Sequence, residues 1–209
     1  MLKISVDNSQ TDVCLQPNAK LSDLLDNLSS TLPPNRIITA IQLDGRQISK
    51  AAERQLLNST LAEIEDISIR TSDKALWAAN GVDICLTSVE RVRRSLNRAS
   101  ELFRQADRNP KILNEATRYF SHCMEGIERF SESMLITRNV LNINFNFIEV
   151  DGVSLDAIER GLLSILEEID EISDCPQTLA DKIEDELIIN LYQWSHGLKK
   201  IQRSLHSNS

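Results

Sequence analysis

The chain has 209 residues, 41 % hydrophobic, 26 % charged and only 4 % aromatic, an ordinary composition for a folded protein with a sizeable core. A formal net charge of -8 at pH 7 excludes a general nucleic-acid binder, because phosphate attraction needs a basic excess. No apolar run approaches the ~18 residues that span a bilayer, and Met1-Leu2-Lys3-Ile4-Ser5-Val6 lacks a leader's apolar core, so a cytoplasmic protein without membrane association is expected.

The charge is unevenly spread. Residues 1–72 hold 7 basic and 9 acidic side chains, residues 73–150 hold 11 and 10, and residues 151–209 hold 5 and 12. The acidic excess therefore sits in the last third, and the middle is weakly positive. Cys14, Cys85, Cys123 and Cys175 lie far apart with no CxxC pair, which fits neither a disulfide framework nor a zinc site, and all four are read as reduced thiols.

Leu2, Ile4 and Val6 alternate with polar residues, as do Val13 and Leu15, so two strands are predicted with a turn at Asn8-Ser9-Gln10. Leu21, Leu24, Leu25 and Leu28 recur on one face of a helix, which Pro33-Pro34 stops. Arg36 to Leu43 is β-branched and apolar, and Asp44-Gly45 predicts a hairpin into Arg46–Ser49. Leu61-Ala62-Glu63-Ile64-Glu65-Asp66 leads into a last strand at Ile67-Ser68-Ile69.

This order resembles the β-grasp, or ubiquitin-like, fold. The resemblance is carried by Leu21-Ser22-Asp23-Leu24-Leu25, by Leu43-Asp44-Gly45 and by Leu61 through Ile69, and it covers about a third of the chain. Modifiers and sulfur carriers of that superfamily end in a free Gly-Gly. Here no Gly-Gly occurs and the last strand runs on into Arg70-Thr71-Ser72-Asp73, so the resemblance implies the superfamily's other use, a protein-docking module.

Asp73 can cap a long helix reading to about Arg108. Positions 75, 78, 82, 85, 89, 92, 96, 99, 103 and 106 step by 3 and 4 and hold no polar residue. After Asn109-Pro110 a second seam runs through Leu113, Ala116, Phe120, Cys123, Ile127, Phe130, Met134, Thr137, Leu141, Asn144 and Ile148. Residues 143–147 alternate like a strand, but the seam stepping favours helix through them. Asp151-Gly152 breaks the chain, Ser154 caps a third helix, and Cys175-Pro176 precedes a fourth with Ala180, Ile183, Leu187, Leu191, Trp194, Leu198, Ile201 and Leu205 in register. The expected fold class is α+β, with a β-grasp domain over 1–71 and an antiparallel four-helix bundle over 73–206.

At ~1.5 Å per residue, helices one and two are about 54–58 Å long and helices three and four about 30 and 42 Å. The tip of the first hairpin should then stand beyond the other helices with its apolar seam incompletely covered. The same stretch is basic, with Arg91, Arg93, Arg94, Arg98, Arg104, Arg108, Lys111 and Arg118. Leu96, Arg98, Phe103, Arg104, Arg108, Leu113, Arg118 and Phe120 are therefore candidate partner-binding residues. The competing reading is a solvated basic face paired within the molecule to the acidic third and fourth helices.

The sequence lacks a P-loop, GxGxxG, HExxH and GxSxG. His122, His196 and His206 are too scattered for a metal site, and Glu167 with Glu171 reads as an exposed acidic face, so no cofactor or metal is expected. His122-Cys123-Met124-Glu125-Gly126 resembles the His-x-x-x-Gly core of histidine-phosphotransfer domains, which implies His122 as phospho-acceptor. That family places a basic residue where Glu125 stands, and a carboxylate there repels a phosphoryl group. The expectation is a non-enzymatic adaptor, scaffold or chaperone-like subunit with protein partners. The alternatives are phosphotransfer through His122 or a structural protein that self-assembles as a homodimer through its helices.

Overall fold

A computed structural model describes residues 2–207 except 12, 14–17, 50–51, 53–54, 107–108 and 173. Cys14, the predicted strand residue Leu15 and the candidate Arg108 lie outside the described residues, as does the side chain of His206. The chain divides into two compact units, Met1–Trp77 and Ala78–Ser209.

In the first unit, β1 (Lys3–Val6) turns through Asp7-Asn8 into β2 (Ser9–Gln10). Both turn residues are left-handed, with φ 49° and 66°, the two-residue hairpin that Asp and Asn tolerate best after Gly. The register pairs Val6 with Ser9 and Ser5 with Gln10. Ser9 and Gln10 are thus strand rather than turn, and Val13 falls beyond the pairing, because a tight turn needs one residue fewer than the apolar spacing suggested. Helix α1 (Leu21–Thr31) buries Leu21, Leu24 and Leu28 and stops at Leu32 before the two prolines. Strand β3 (Arg36–Leu43) turns through Asp44-Gly45, at φ 48° and 77°, into β4 (Arg46–Gln47). Asp44 Oδ1 accepts from the Glu65 and Asp66 amides at 3.0 and 2.9 Å, tying that hairpin to the start of β5 (Asp66–Asp73).

The mixed sheet has the order β2-β1-β5-β3-β4, with β1 and β5 parallel and the other pairs antiparallel. Its central strand supplies Ile67 and Ile69, both at 0 % exposure, which pack with Ile4, Leu21, Leu24, Leu28, Ile41 and Leu61 in a core of the unit's own.

Asp73 caps α2 (Lys74–Gln105): its Oδ1 accepts from the Ala75 and Leu76 amides at 2.9 and 3.1 Å. Those bonds to the ionised form hold its carboxyl below the usual range, that to Leu76 foremost. The predicted seam is buried from Ala78 to Ala106, whereas Ala75 is exposed. Asn109 caps α3 (Pro110–Leu141) through its side chain, with Pro110 in the first turn.

The structure corrects the reading of 142–150. Helix α3 ends at Leu141, since Asn142 adopts the left-handed conformation, φ 51°, that closes a helix. A 3₁₀ turn at Phe145–Phe147 follows, with Asn144 accepting from the Asn146 amide at 3.0 Å. Then comes a hairpin, β6 (Glu149–Val150) and β7 (Val153–Ser154), turned by Asp151-Gly152 at φ 53° and 82°. The segment turns Phe145 inward against Trp194 at 5.9 Å between ring centres, burial that a straight helix would not provide.

Ser154 Oγ accepts from the Ala157 amide at 3.2 Å at the start of α4 (Leu155–Ile172). The fourth helix starts at Pro176 as α5 (Pro176–Lys182), passes through a π-helical turn (Ile183–Leu187) and continues as α6 (Ile188–Ser207). Contacts fix the helix directions. Phe103 meets Phe120 near the apex and Gly81 meets Thr137 at the other end, so α2 and α3 are antiparallel. Asp83 bonds Gln202 and Glu90 bonds Ser195, while Arg104 pairs with Glu184, so the fourth helix is antiparallel to α2. Glu168 meets Lys182, Ile158 meets Asn190 and Leu155 meets Gly197, so α4 is antiparallel to the fourth helix, and Arg138 to Glu159 ties its start to the end of α3.

Candidate functional site

The hairpin apex was expected to stand uncovered. It does not: Leu96, Ala99 and Ala116 are at 0 % exposure and Phe103 at 4 %, while Leu113 and Phe120 are half-buried against the same core. Two helix lengths differ from those counted on the sequence. Helix α3 stops at Leu141 instead of near Ile148, and the fourth helix, Pro176–Ser207, is about 48 Å long, as long as α3. Residues 142–154 take up the length that α4 lacks. Cys175, Pro176 and Gln177 consequently line a cavity together with Phe103, Ala106 and Leu113.

Arg104 shows how the basic and acidic faces meet. Its Nε and Nη2 donate to Glu184 at 3.1 and 2.8 Å, and Nη2 also pairs with Asp181 at 2.7 Å. The guanidinium holds the Glu184 carboxyl below its usual range. Arg93 pairs with Glu90 and Arg98 with Glu101. Arg91, Lys111 and Arg118 are exposed and form no ion pair among the described residues. The intramolecular reading thus holds for Arg104, and the unpaired cations lie on α2 and α3 themselves.

His122 is exposed on α3 and lines a cavity of about 420 Å³ over the α2–α3 contact. Helical spacing explains the gathering: Ser88, Arg91 and Ser95 recur at i, i+3 and i+7 on α2, and Tyr119, His122, Gly126 and Arg129 do so on α3. Gly126 sets the depth, since a Cβ there would lie 2.6 Å from Val92 Cγ2. Glu125 pairs with Arg129 at 2.9 Å and sits 3.9 Å from His122 Nδ1. Sequence reasoning singled out His122 and counted Arg91 as one of a basic run. It missed Ser88, Ser95, Tyr119 and Arg129, whose shared heptad offset was the available signal.

Burial pushes the Cys85 and Cys123 thiols up to about 11, so both behave as small apolar side chains. Exposed Cys175 caps α5, and its thiol is held below the usual value by the Thr178 hydroxyl. The Ser195 hydroxyl, followed by Arg93, keeps Glu90 ionised between α2 and α6. No helix among the described residues is long and apolar enough to cross a membrane.

Residues 2–73 match the family model described as TP0873 N-terminal domain, close to the extent of the first compact unit. No curated protein and no solved structure matches the chain.

Proposed function

We propose that the chain is a non-enzymatic interaction module, an adaptor, scaffold or chaperone-like subunit that docks an acidic protein partner on the outer face of the α2–α3 hairpin. The observation that carries this reading is the set of exposed cations Arg91, Lys111 and Arg118, which form no ion pair among the described residues, in a molecule of net charge -8. Opposite surface charge steers encounter and rejects wrong partners. Docking uses that face rather than the apex core, because Leu96 and Phe103 are already covered.

The first unit supplies a second docking surface. Its strand order and the parallel β1–β5 pair support the ubiquitin-like reading. A cavity of about 340 Å³ between α1 and the β3–β4 edge, lined by Leu25, Ile38 and Ile48, would take an apolar side chain.

A photo-crosslinker at position 118 tests the module in the cells that make the protein. One discrete protein adduct is expected, lost in Arg91→Glu/Lys111→Glu and absent when the crosslinker sits at position 167. A chain that yields equal adducts from both positions does not dock by this face. Light scattering across concentration separates a protein partner from a second copy: a mass that doubles and returns to the monomer in the same variant means self-assembly.

The surroundings of His122 favour one other reading, phosphotransfer, because Arg91, Arg129 and the side-chain-free Gly126 share its cavity. Glu125 beside the ring opposes it. Acid-labile phosphate on the chain after incubation with a phosphorylated receiver domain, absent from His122→Gln, would establish it.

A further inference from the structure

The cavity over Gly126 collects polar side chains that have no protein partner among the described residues. Arg91, Ser88 and Ser95 on α2 and Tyr119 on α3 make no side-chain hydrogen bond or ion pair among the described residues. Arg129 joins them from the same helix face as His122, already in contact with Glu125. Helical spacing puts Ser88 and Ser95 about 10.5 Å apart, so they serve different ends of the groove. Arg91, Arg129 and Ser88 share one end, and two guanidiniums with a hydroxyl form a donor set for an oxyanion.

We propose that this groove binds a phosphorylated side chain of a protein partner, its phosphoryl oxygens held by Arg91, Arg129 and Ser88 at one end, while Ser95, Tyr119 and His122 line the other. The proposal rests on the interaction-module reading for the source of the group. Three arguments select the ligand. Glu125 already occupies Arg129, and an incoming carboxylate brings no more charge than Glu125 has, whereas a phosphoryl group carries nearly two negative charges and displaces it. Its three oxygens can also take two guanidiniums and the Ser88 hydroxyl together, whereas a carboxylate has only two oxygens to share among them. Finally, Arg91, Tyr119, His122, Glu125 and Arg129 are all exposed, so the groove cannot enclose a metabolite but can receive a group projecting from a larger molecule. That molecule is a protein rather than a nucleic acid or an anionic membrane, because a polymer or surface charged along its whole extent would also meet the acidic last third of the chain, whereas an acidic segment with one phosphorylated side chain confines its charge to the basic face of α2 and α3.

The test is an NMR titration of the full chain with phenyl phosphate, inorganic phosphate and sodium acetate at constant ionic strength. Phenyl phosphate should give saturable shifts at the Arg91 and Arg129 Nε–H groups and at the amides of 119–129, at least about fivefold tighter than acetate. Arg91→Gln should weaken it about tenfold and Glu125→Gln should tighten it severalfold, each with the rest of the amide spectrum unmoved. Equal affinity for acetate, or binding undiminished by Arg91→Gln, overturns the site. Inorganic phosphate bound as tightly as phenyl phosphate overturns its assignment to a phosphorylated side chain in favour of the free ion. Because this titration needs no partner, its failure leaves the crosslinking result standing, and a failed crosslink leaves the groove standing.

Discussion

Asp7 carries more of the first unit than its place in an exposed turn suggests. Its carboxylate accepts from the Thr71 amide at 2.8 Å, the Thr71 hydroxyl at 2.6 Å and Arg36 Nη2 at 2.7 Å, joining the β1–β2 turn to β5 and β3. These bonds, the Thr71 hydroxyl first, hold its carboxyl below the usual carboxylate range. A carboxyl lowered by folding stabilises the fold above its unfolded value and loses that contribution as pH falls through the folded one. Asp7→Asn keeps the left-handed preference and removes the charge. It should cost about 1 kcal/mol at pH 7, a modest figure because the side chain is partly exposed, and the difference should close in acid. Amide exchange of β1 and β5 at neutral and acid pH reads both effects. At Gly126 the constraint is steric. Val92 has one favoured rotamer in a helix and cannot swing aside, so Gly126→Ala should cost about 1–3 kcal/mol, and adding Val92→Ala should recover most of it in chemical denaturation.

Among the elements, the apex of α2 and α3 separates burial from charge. Phe103 is buried edge-on to Phe120, whose ring centre is 6.0 Å away, so Phe103→Ala should lower the stability of the helical unit by about 3 kcal/mol. Phe120 is half-buried and should cost less. Arg104 makes the best-formed ion pairs at the apex, yet they are solvated, and Arg104→Gln should cost far less than Phe103→Ala and lose its effect in high salt. Helical content monitored against urea at two salt concentrations orders the three variants. An Arg104→Gln loss equal to that of Phe103→Ala would mean that charge, not packing, closes the apex.

For the whole molecule, each unit has an apolar core of its own, one centred on Ile67 and Ile69 and one running along the helical seams. Ile67→Ala should therefore raise exchange across β1, β3 and β5 by about a hundredfold while Leu187 to Leu198 keep their protection. Spread of the loss into α6 would show that the units unfold as one.

Sequence alone determined what depends on local order. The 3–4 stepping from Ala78 to Ala106 must bury one face, Asp44-Gly45 must turn, Asn109-Pro110 must end a helix, and Asp73 and Ser154 are cap residues followed by helix-forming runs, so these features are legible in the sequence. The tertiary structure decided whatever required two competing local preferences to be weighed, or distant residues to meet. Residues 143–147 suit a helix or a strand by pattern, and the burial of Phe145 against Trp194 selects neither. Lengths counted from the pattern left the apex bare, until residues 142–154 folded across the bundle end and let the fourth helix run the full distance. The groove over Gly126 is half legible: a shared heptad offset places Ser88, Arg91, Ser95, Tyr119, His122 and Arg129 beside the two seams, but that the two rows line one cavity depends on how closely the helices pack at Gly126.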